Sequence, residues 1–266
     1  MSNIKKSNKN PQLGGNHKAS EKRQFRSKSR PNRGTHRRPE QIYDFEEADN
    51  RLQDLFRHHG FGDYPHSKRR QLTEFYRILM ENQKTQNFTR LVKLRDVGLK
   101  HFIDSLMVSR LHPLKFPLID LGTGPGIPGI PLKIEHPEGR IILVEGVRKR
   151  VEYLKMVRER MGLEQLDIIG RYMDEEFAYP CQSLIARAVQ GGLGRMLGLI
   201  SQSVVDGGEV LLMKGPNVDD ELNEALKQWK GYYDVQKDLH YELPNTPNQR
   251  RLVVLTKIKT PNIEDL

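Results

Sequence analysis

Apolar residues follow two kinds of pattern along this chain. From residue 116 onward, short continuous apolar runs bounded by glycine, proline or charged residues predict buried strands. These runs are 117–121, 140–145, 166–169, 183–188 and 208–213. Between the runs, apolar residues three or four positions apart predict helices over 132–136, 149–161 and 219–229, and another after Gly191-Gly192. Strands and helices in alternation predict a parallel sheet covered by helices.

Two further runs, 232–243 and 251–258, follow each other without a helical pattern between them. A parallel strand needs a long crossover, usually a helix, whereas a direct return suits an antiparallel pair. We therefore expect an α/β fold whose seven-stranded sheet ends in an antiparallel hairpin.

Residues 44–112 carry helical patterns throughout, of which Leu72, Phe75, Tyr76, Leu79 and Met80 form the clearest. A second set is Leu99, Phe102, Ile103 and Leu106. The polar stretch Asn87-Phe88-Thr89 lies between the two sets, and the pattern predicts a helix end there, capped by Asn87 or Thr89. We expect a helical cap over 44–112, a sheet domain over 113–259 and a flexible C-terminus over 260–266.

The positive charge of the chain is concentrated at its N-terminus. The 266 residues carry a net charge of +10, while residues 1–39 hold twelve Lys or Arg and a single acid, Glu21. That segment carries +11, so the remainder is nearly neutral. Few apolar residues accompany the charge, and we expect a disordered basic tail over 1–43. It is interpreted as a tether for RNA phosphates, with a solubilising tail or an acid-poor transit peptide as alternatives.

Cysteine content and hydropathy limit the compartment in which the protein is expected and the kinds of site it can contain. Cys181 is the only cysteine, which excludes an intramolecular disulfide and a cysteine-based zinc site and fits a reducing compartment. No apolar stretch approaches the roughly 18 residues of a membrane helix, and the N-terminus lacks an apolar signal core. The sequence predicts a cytoplasmic protein with neither a metal nor a membrane partner.

An acid and a glycine turn follow the first strand, and a second acid ends the next one. Asp120 precedes Gly122, Gly124 and Gly126, and Glu145 closes the second run. A dinucleotide site requires Gly-x-Gly-x-x-Gly, but here the third glycine comes one residue early. The pattern is typical of class I S-adenosylmethionine-dependent methyltransferases. A nicotinamide enzyme and a non-catalytic nucleotide-binding fold remain as alternatives.

Charged residues follow other strands of the predicted sheet. Ligands of open α/β sheets bind at the carboxyl ends of the strands, so Arg171, Arg187 and Lys214 should lie around the same crevice as the glycine turn. The alternative is that they are solvated strand ends. Arg187 and Lys214 interrupt otherwise apolar contexts, which favours a functional role.

The stretch Gly122-Thr123-Gly124-Pro125-Gly126-Ile127-Pro128-Gly129-Ile130-Pro131-Leu132 closely resembles the glycine loop of the bacterial RsmG (GidB) methyltransferases. The resemblance covers roughly residues 70–258. Further matches in the same order are Asn87-Phe88-Thr89, His101 to Ser105, Lys149-Arg150, Arg187-Ala188, Lys214-Gly215 and Arg250 to Val254. The chain departs from the family pattern at Glu145, where Asp is usual, at Ala186 in place of Ser, and at Arg251 in place of His.

The resemblance implies methyl transfer from S-adenosylmethionine to N7 of a guanosine in the 530 loop of 16S rRNA, by a monomer acting on the small ribosomal subunit. The implied cofactor-binding residues are Asp120, Gly122, Thr123, Gly124, Gly126, Ile127, Glu145, Arg171 and Arg187. The implied RNA contacts are Asn87, His101, Lys214 and Arg250, and the implied catalytic residues are Arg187 and Lys214. The rival interpretations are a methyltransferase for another RNA site and a catalytically silent ribosome-binding protein.

Overall fold

The computed structural model describes residues 36–39, 41–188 and 191–262. Most of the predicted tail, residues 1–35 and 40, lies outside the described residues, as do residues 189–190 and 263–266. Within the described residues, no helix is both long and apolar enough to span a membrane.

Seven strands form one sheet in the order β3-β2-β1-β4-β5-β7-β6. They are β1 (Leu118–Leu121), β2 (Ile141–Val144), β3 (Leu166–Ile169), β4 (Cys181–Arg187), β5 (Val204–Lys214), β6 (Tyr233–Glu242) and β7 (Gln249–Lys257). Strands β1 to β5 are parallel, and β7 is antiparallel to both of its neighbours. The predicted class I methyltransferase sheet with its terminal hairpin is therefore confirmed.

Strand register aligns the positions that matter for the site. Leu121 pairs with Val144 on one side and with Ala186 on the other. The next residue on each strand is therefore Gly122, Glu145 or Arg187, in one row at the carboxyl edge of the sheet. The rule that ligands bind at this edge then applies to all of them together.

Helices cover both faces of the sheet. They are α1 (Phe45–His58), α2 (His66–Gln83), α3 (Leu94–Val97), α4 (Asp104–Leu111), α5 (Gly129–Glu135), α6 (Arg148–Met161), α7 (Leu193–Ile200) and α8 (Asp219–Gln228). Alternate strand residues point to opposite faces, so Ile141 and Leu143 pack in the apolar cluster that contains the cap, and Ile142 and Val144 pack in the cluster that contains α7 and α8.

The cap differs from the sequence prediction between α2 and α4. Neither Asn87 nor Thr89 caps a helix, because α2 ends at Gln83 and α3 begins only at Leu94. The predicted helical pattern around Leu99 also hides a wider π-helical turn, Gly98–Ile103, that joins α3 to α4. Such turns are frequent at functional sites, and the spacing of apolar residues does not distinguish them from α-helix.

The ends of the described chain are held by hydrogen bonds. His36 Nε2 lies 2.7 Å from the carbonyl oxygen of Gln83, and the Gln83 side chain donates to the carbonyl oxygen of Arg37 at 2.7 Å. Tyr43 packs against the core of the cap, so the part of the predicted tail nearest the cap has defined contacts. Near the other end, the Thr260 hydroxyl donates to Asp206 at 2.8 Å.

Candidate active site

A cleft of about 510 Å³ opens at the carboxyl edge of β1, β2 and β3. Its walls include Gly122, Glu145, Gly146, Arg171, Tyr172 and Arg195. The predicted residues Gly122, Glu145 and Arg171 are thus brought together around one cavity.

The glycine turn adjoins this cleft through Gly122, and its backbone is open at two positions. Gly122 has a φ of +67° and Gly124 a φ of +59°, in the left-handed region that side chains resist. A Cβ built on Gly122 would have no neighbour within 4 Å, and one on Gly124 would meet only the Gly122 carbonyl at 4.0 Å. Space is therefore reserved beside both residues. Gly126 has a different role, because a Cβ there would lie 2.3 Å from Ile130 Cδ1.

Asp120 lies behind the turn and is fully buried. Its Oδ2 accepts hydrogen bonds from the Thr123 hydroxyl at 2.5 Å and from the Gly129 amide at 2.8 Å. Burial raises the pKa of Asp120 to about 6, and the two hydrogen bonds oppose that rise. Its Oδ1 has no partner among the described residues. The carboxylate holds the two ends of the turn together.

Glu145 joins the glycine turn to the end of β2. Its Oε2 accepts from the Gly124 amide at 3.1 Å, and its Oε1 accepts from the Val147 amide at 2.8 Å. Arg150 lies 3.5 Å from the same carboxylate. The acid that the sequence pattern singles out is therefore held in place by backbone amides on both sides.

A second group of side chains surrounds the buried carboxylate of Asp104. Arg187 Nη2 lies 3.3 Å from Asp104 Oδ2, and Arg250 Nε lies 3.4 Å from Oδ1. The Tyr241 hydroxyl donates to Oδ1 at 3.3 Å. We call these four residues the Asp104 cluster. Arg187 also donates to the Lys100 carbonyl oxygen at 2.9 Å, so its guanidinium is fixed from two sides.

His101 connects the Asp104 cluster to the cap. Its Nε2 lies 3.1 Å from the Thr89 hydroxyl and its Nδ1 lies 3.4 Å from Arg187 Nη1. Burial, followed by the nearby charge of Arg187, lowers the pKa of His101 to about 3. The ring is therefore neutral near pH 7. A guanidinium can only donate, so the contact with Arg187 requires Nδ1 to accept, whereas the Lys100 carbonyl oxygen, 3.2 Å from the same Nδ1, requires it to donate. The tautomer therefore decides which of the two contacts forms.

Replacing His101 by glutamine should weaken the acid sensitivity of the fold. Unfolded His101 titrates near 6.5 and folded His101 near 3, so the unfolded chain binds the extra proton and stability is lost as pH falls through this window. Between about pH 7 and pH 5 the parent should lose about 2 kcal/mol more than His101→Gln. The raised pKa of Asp120 acts with the opposite sign but equally in both proteins. Urea unfolding at the two pH values tests this, and equal losses would contradict it.

The side chains of Lys214 and Asn87 form no hydrogen bond or ion pair with the Asp104 cluster. Lys214, at the end of β5, is paired with Glu221 at 2.7 Å and lines a smaller cavity together with Ala188 and Met196. Asn87 is exposed, and its side chain has no hydrogen bond or ion pair with another described residue. Asn87 is connected to the site only by the backbone, because Thr89, two residues later, contacts His101.

Sequence reasoning left two side chains of the site, Tyr241 and Tyr172, without a role. Asp104, the centre of its cluster, was assigned only to the pocket wall, through the match of His101 to Ser105 with the family motif. Tyr241 lies in β6, far along the chain. Tyr172 is 68% exposed, and its ring covers Gly146, where a Cβ would lie 2.3 Å from it. An aromatic residue directly after Arg171, beyond the third predicted strand, is the signal that the sequence offered.

The sequence of this chain is similar to that of a known protein family. Residues 68–252 match the family model GidB, described as rRNA small subunit methyltransferase G. The "Ribosomal RNA small subunit methyltransferase G 2" of Bdellovibrio bacteriovorus is 53% identical over 226 residues, which are 85% of this chain and 88% of that protein. The protein of the same name from Syntrophobacter fumaroxidans is 41% identical over 72% of this chain and 38% of its own length. Among solved structures, the tRNA methyltransferase TrmK of B. subtilis aligns with 61% of this chain and 68% of its own, at 16% identity and a TM-score of 0.49. By family match and identity, the chain belongs to the GidB family of rRNA small subunit methyltransferases.

Proposed function

We propose that this protein transfers a methyl group from S-adenosylmethionine to N7 of a guanosine in the 530 loop of 16S rRNA. Family membership supports the reaction class. The observation that carries the proposal is the glycine turn beside the cleft, whose two left-handed glycines leave their backbone open, with Glu145 and Arg187 at the neighbouring strand ends. When bound, S-adenosylmethionine supplies an electrophilic methyl group on a sulfonium.

The residues present fit this cofactor. The space beside Gly122 and Gly124 would take its methionine end, and a side chain at either position would fill that space. Glu145 would accept from the ribose hydroxyls, since its Oε1 has a second acceptor site besides the one used by the Val147 amide. Arg171 would lie near the adenine. Asp120, Thr123, Gly126 and Ile127 would act by shaping the turn.

The chemistry requires positioning more than proton transfer. N7 of guanine has an in-plane lone pair and no proton to lose, so attack on a methyl group needs no general base. We expect catalysis to come from orientation and from fixed charges. Arg187 would donate to guanine O6 or to an adjacent phosphate and leave N7 free to react. Arg250 and Lys214 would hold the RNA backbone, and Asp104 would orient both guanidinium groups.

The proposed substrate is 16S rRNA within the small ribosomal subunit, and the proposed active species is a monomer. A ribosomal substrate implies a cytoplasmic activity. Asn87 and His101 are proposed to lie at the RNA-facing wall, His101 as a neutral ring that positions Arg187.

Methyl transfer is the direct test. The purified protein is incubated with labelled S-adenosylmethionine and unmodified small subunits or 16S rRNA, and 7-methylguanosine is mapped. Label in the 530 loop is the expected result. Label elsewhere would keep the reaction and move its target. Absence of label in the presence of measurable cofactor binding and an active positive control would favour a silent RNA-binding protein.

Deletion of residues 1–35 should flatten the salt dependence of RNA binding. The deleted segment holds ten Lys or Arg and one acid, and each neutralised phosphate contributes about 0.7 to 0.9 to the slope of log affinity against log salt. Residues 36–37 are kept because Gln83 binds them. Affinity for 16S rRNA is measured between about 50 and 200 mM salt. An unchanged slope would leave the segment as a solubilising tail.

A further inference from the structure

The cap carries a second cavity, of about 640 Å³, which shares no lining residue with the cleft at the sheet edge. We call it the cap groove. Among its lining residues are Tyr43, Arg51, Asp54, Leu55, Lys93 and Arg95. Three of these six are cations and one is an acid, so the groove is suited to an anionic ligand.

Two of the cations are free to bind. Lys93 and Arg95 are exposed, and the side chain of neither forms an ion pair or hydrogen bond with another described residue. The other charges of the groove are already matched, since Arg51 pairs with Glu47 at 2.8 Å and Asp54 pairs with Arg57 at 3.9 Å. Unpaired cations in a concave surface bind phosphates by charge and counterion release.

The cap groove also contains an aromatic surface. The Arg51 guanidinium lies 4.2 Å from the centroid of the Tyr43 ring. An aromatic ring beside basic groups is what single-stranded nucleic acid uses for stacking and backbone contact. This combination favours a polynucleotide over a small inorganic anion.

The segment that forms one wall of the cap groove also contacts the Asp104 cluster. Thr89 bonds His101, which bonds Arg187, and Lys93 follows Thr89 by four residues. Four residues span at most about 14 Å. A helical nucleic acid strand advances about 3.4 Å per nucleotide, so about four nucleotides would cover the span from Thr89 to Lys93. The distance from Thr89 to the target nucleotide adds to that span.

The first described residues lie beside the same segment. The buried side chain of Gln83 donates to the carbonyl oxygens of Arg37 at 2.7 Å and Thr89 at 2.9 Å, and accepts from the Thr89 amide at 3.1 Å. Gln41 and Tyr43 then line the groove. Residues 1–39 carry +11, the same sign as the free cations of the groove, so charge does not favour the tail as the ligand of the groove. A polyanion would be attracted by both.

We propose that the cap groove binds the RNA strand flanking the target nucleotide, with Lys93 and Arg95 on its phosphates and Tyr43 against a base or ribose. The inference rests on the proposed function for the identity of the substrate. It adds an RNA-binding surface outside the reaction site, which sets how much flanking RNA the protein recognises.

The test is a charge reversal with a matched control. Lys93→Glu/Arg95→Glu is compared with Lys227→Glu/Lys230→Glu, which makes the same charge change on two exposed lysines at the end of α8. Binding of a 16S rRNA fragment should weaken at least tenfold in the groove variant, and its salt slope should fall by about 1.5, the value for two phosphate contacts. S-adenosylmethionine affinity should stay unchanged. The milder Lys93→Gln/Arg95→Gln should show an intermediate loss.

Shortening the RNA locates the contact. The parent protein should lose affinity when the strand flanking the target is trimmed to about four nucleotides or fewer, and the groove variant should be indifferent to the trimming. Equal binding by groove and control variants, or equal sensitivity to trimming in the parent and the groove variant, would overturn the inference. A defect on intact subunits but not on naked rRNA would overturn it in favour of a ribosomal protein partner. If the parent binds the RNA but does not methylate it, the proposed function is refuted. The groove is still tested in that case, by comparing RNA binding of the groove and control variants.

Discussion

Replacing Gly124 by aspartate is expected to abolish S-adenosylmethionine binding, with an affinity loss of at least about 100-fold, or about 3 kcal/mol. The new side chain would project into the open space beside the turn, which the proposed function assigns to the cofactor. It would also put a second carboxylate next to Glu145, whose Oε2 accepts from the Gly124 amide at 3.1 Å. Titration calorimetry with S-adenosylmethionine measures the effect.

Gly162→Asp is the matched control for this change. Gly162 also has a φ of +59°, and a Cβ there would have no neighbour within 4 Å, but the residue lies at the C-terminal end of α6. The backbone strain of a left-handed aspartate, about 1 to 2 kcal/mol, is therefore common to both variants. Only Gly124→Asp should lose the cofactor. Undiminished affinity in that variant would refute the assignment of the glycine turn.

Replacing Arg187 by alanine is expected to slow methyl transfer by about 10² to 10³, the usual cost of removing one fixed donor at a reacting group. Cofactor affinity should remain within about twofold, because the guanidinium is directed to Asp104 and to the Lys100 carbonyl oxygen. Single-turnover transfer to unmodified 16S rRNA at saturating cofactor measures the effect. A normal rate would remove Arg187 from the site, and a loss confined to cofactor affinity would make it a cofactor ligand only.

Arg250→Ala is the control that distinguishes a direct role of Arg187 in methyl transfer from the loss of one cation beside Asp104. Arg187 and Arg250 both pair with Asp104, and both side chains are 24% exposed. Each alanine variant leaves Asp104 with one cation fewer, so both should lose a similar 1 to 3 kcal/mol, roughly, of stability. Arg250→Ala should raise the RNA concentration needed for half-maximal rate and leave the saturated rate near that of the parent. Equal rate losses in the two variants would show that the defect is structural.

Much of the fold was readable from local patterns. The apolar run at 166–169 coincides with β3, and the two adjacent C-terminal runs form the predicted antiparallel hairpin. The turn that starts after Asp120 was recognisable because three glycines in alternate positions are required by the backbone itself. Burial requires apolar residues at regular spacing, and a chain reversal requires turn residues such as glycine. Both requirements apply within a few residues, so the sequence shows them directly.

The pattern of apolar and polar residues was less informative where a structural feature leaves no trace in the neighbouring sequence. The π-helical turn Gly98–Ile103 has the apolar spacing of an ordinary helix. Thr89 is a residue type that often caps helices, yet its hydroxyl hydrogen-bonds His101 and accepts from the Leu91 amide. A hydroxyl bonds whichever partner packing brings near, and that partner here is twelve residues away.

The amino-acid sequence alone was sufficient for the sheet, its hairpin, the glycine turn and the row of charged strand ends. The arrangement of those charges was settled by the tertiary structure. Arg250 and Asp104 are 146 residues apart in the chain, and Arg187 reaches the same carboxylate from β4. No periodicity connects such positions, because a contact between distant residues depends on how the cap packs against the sheet.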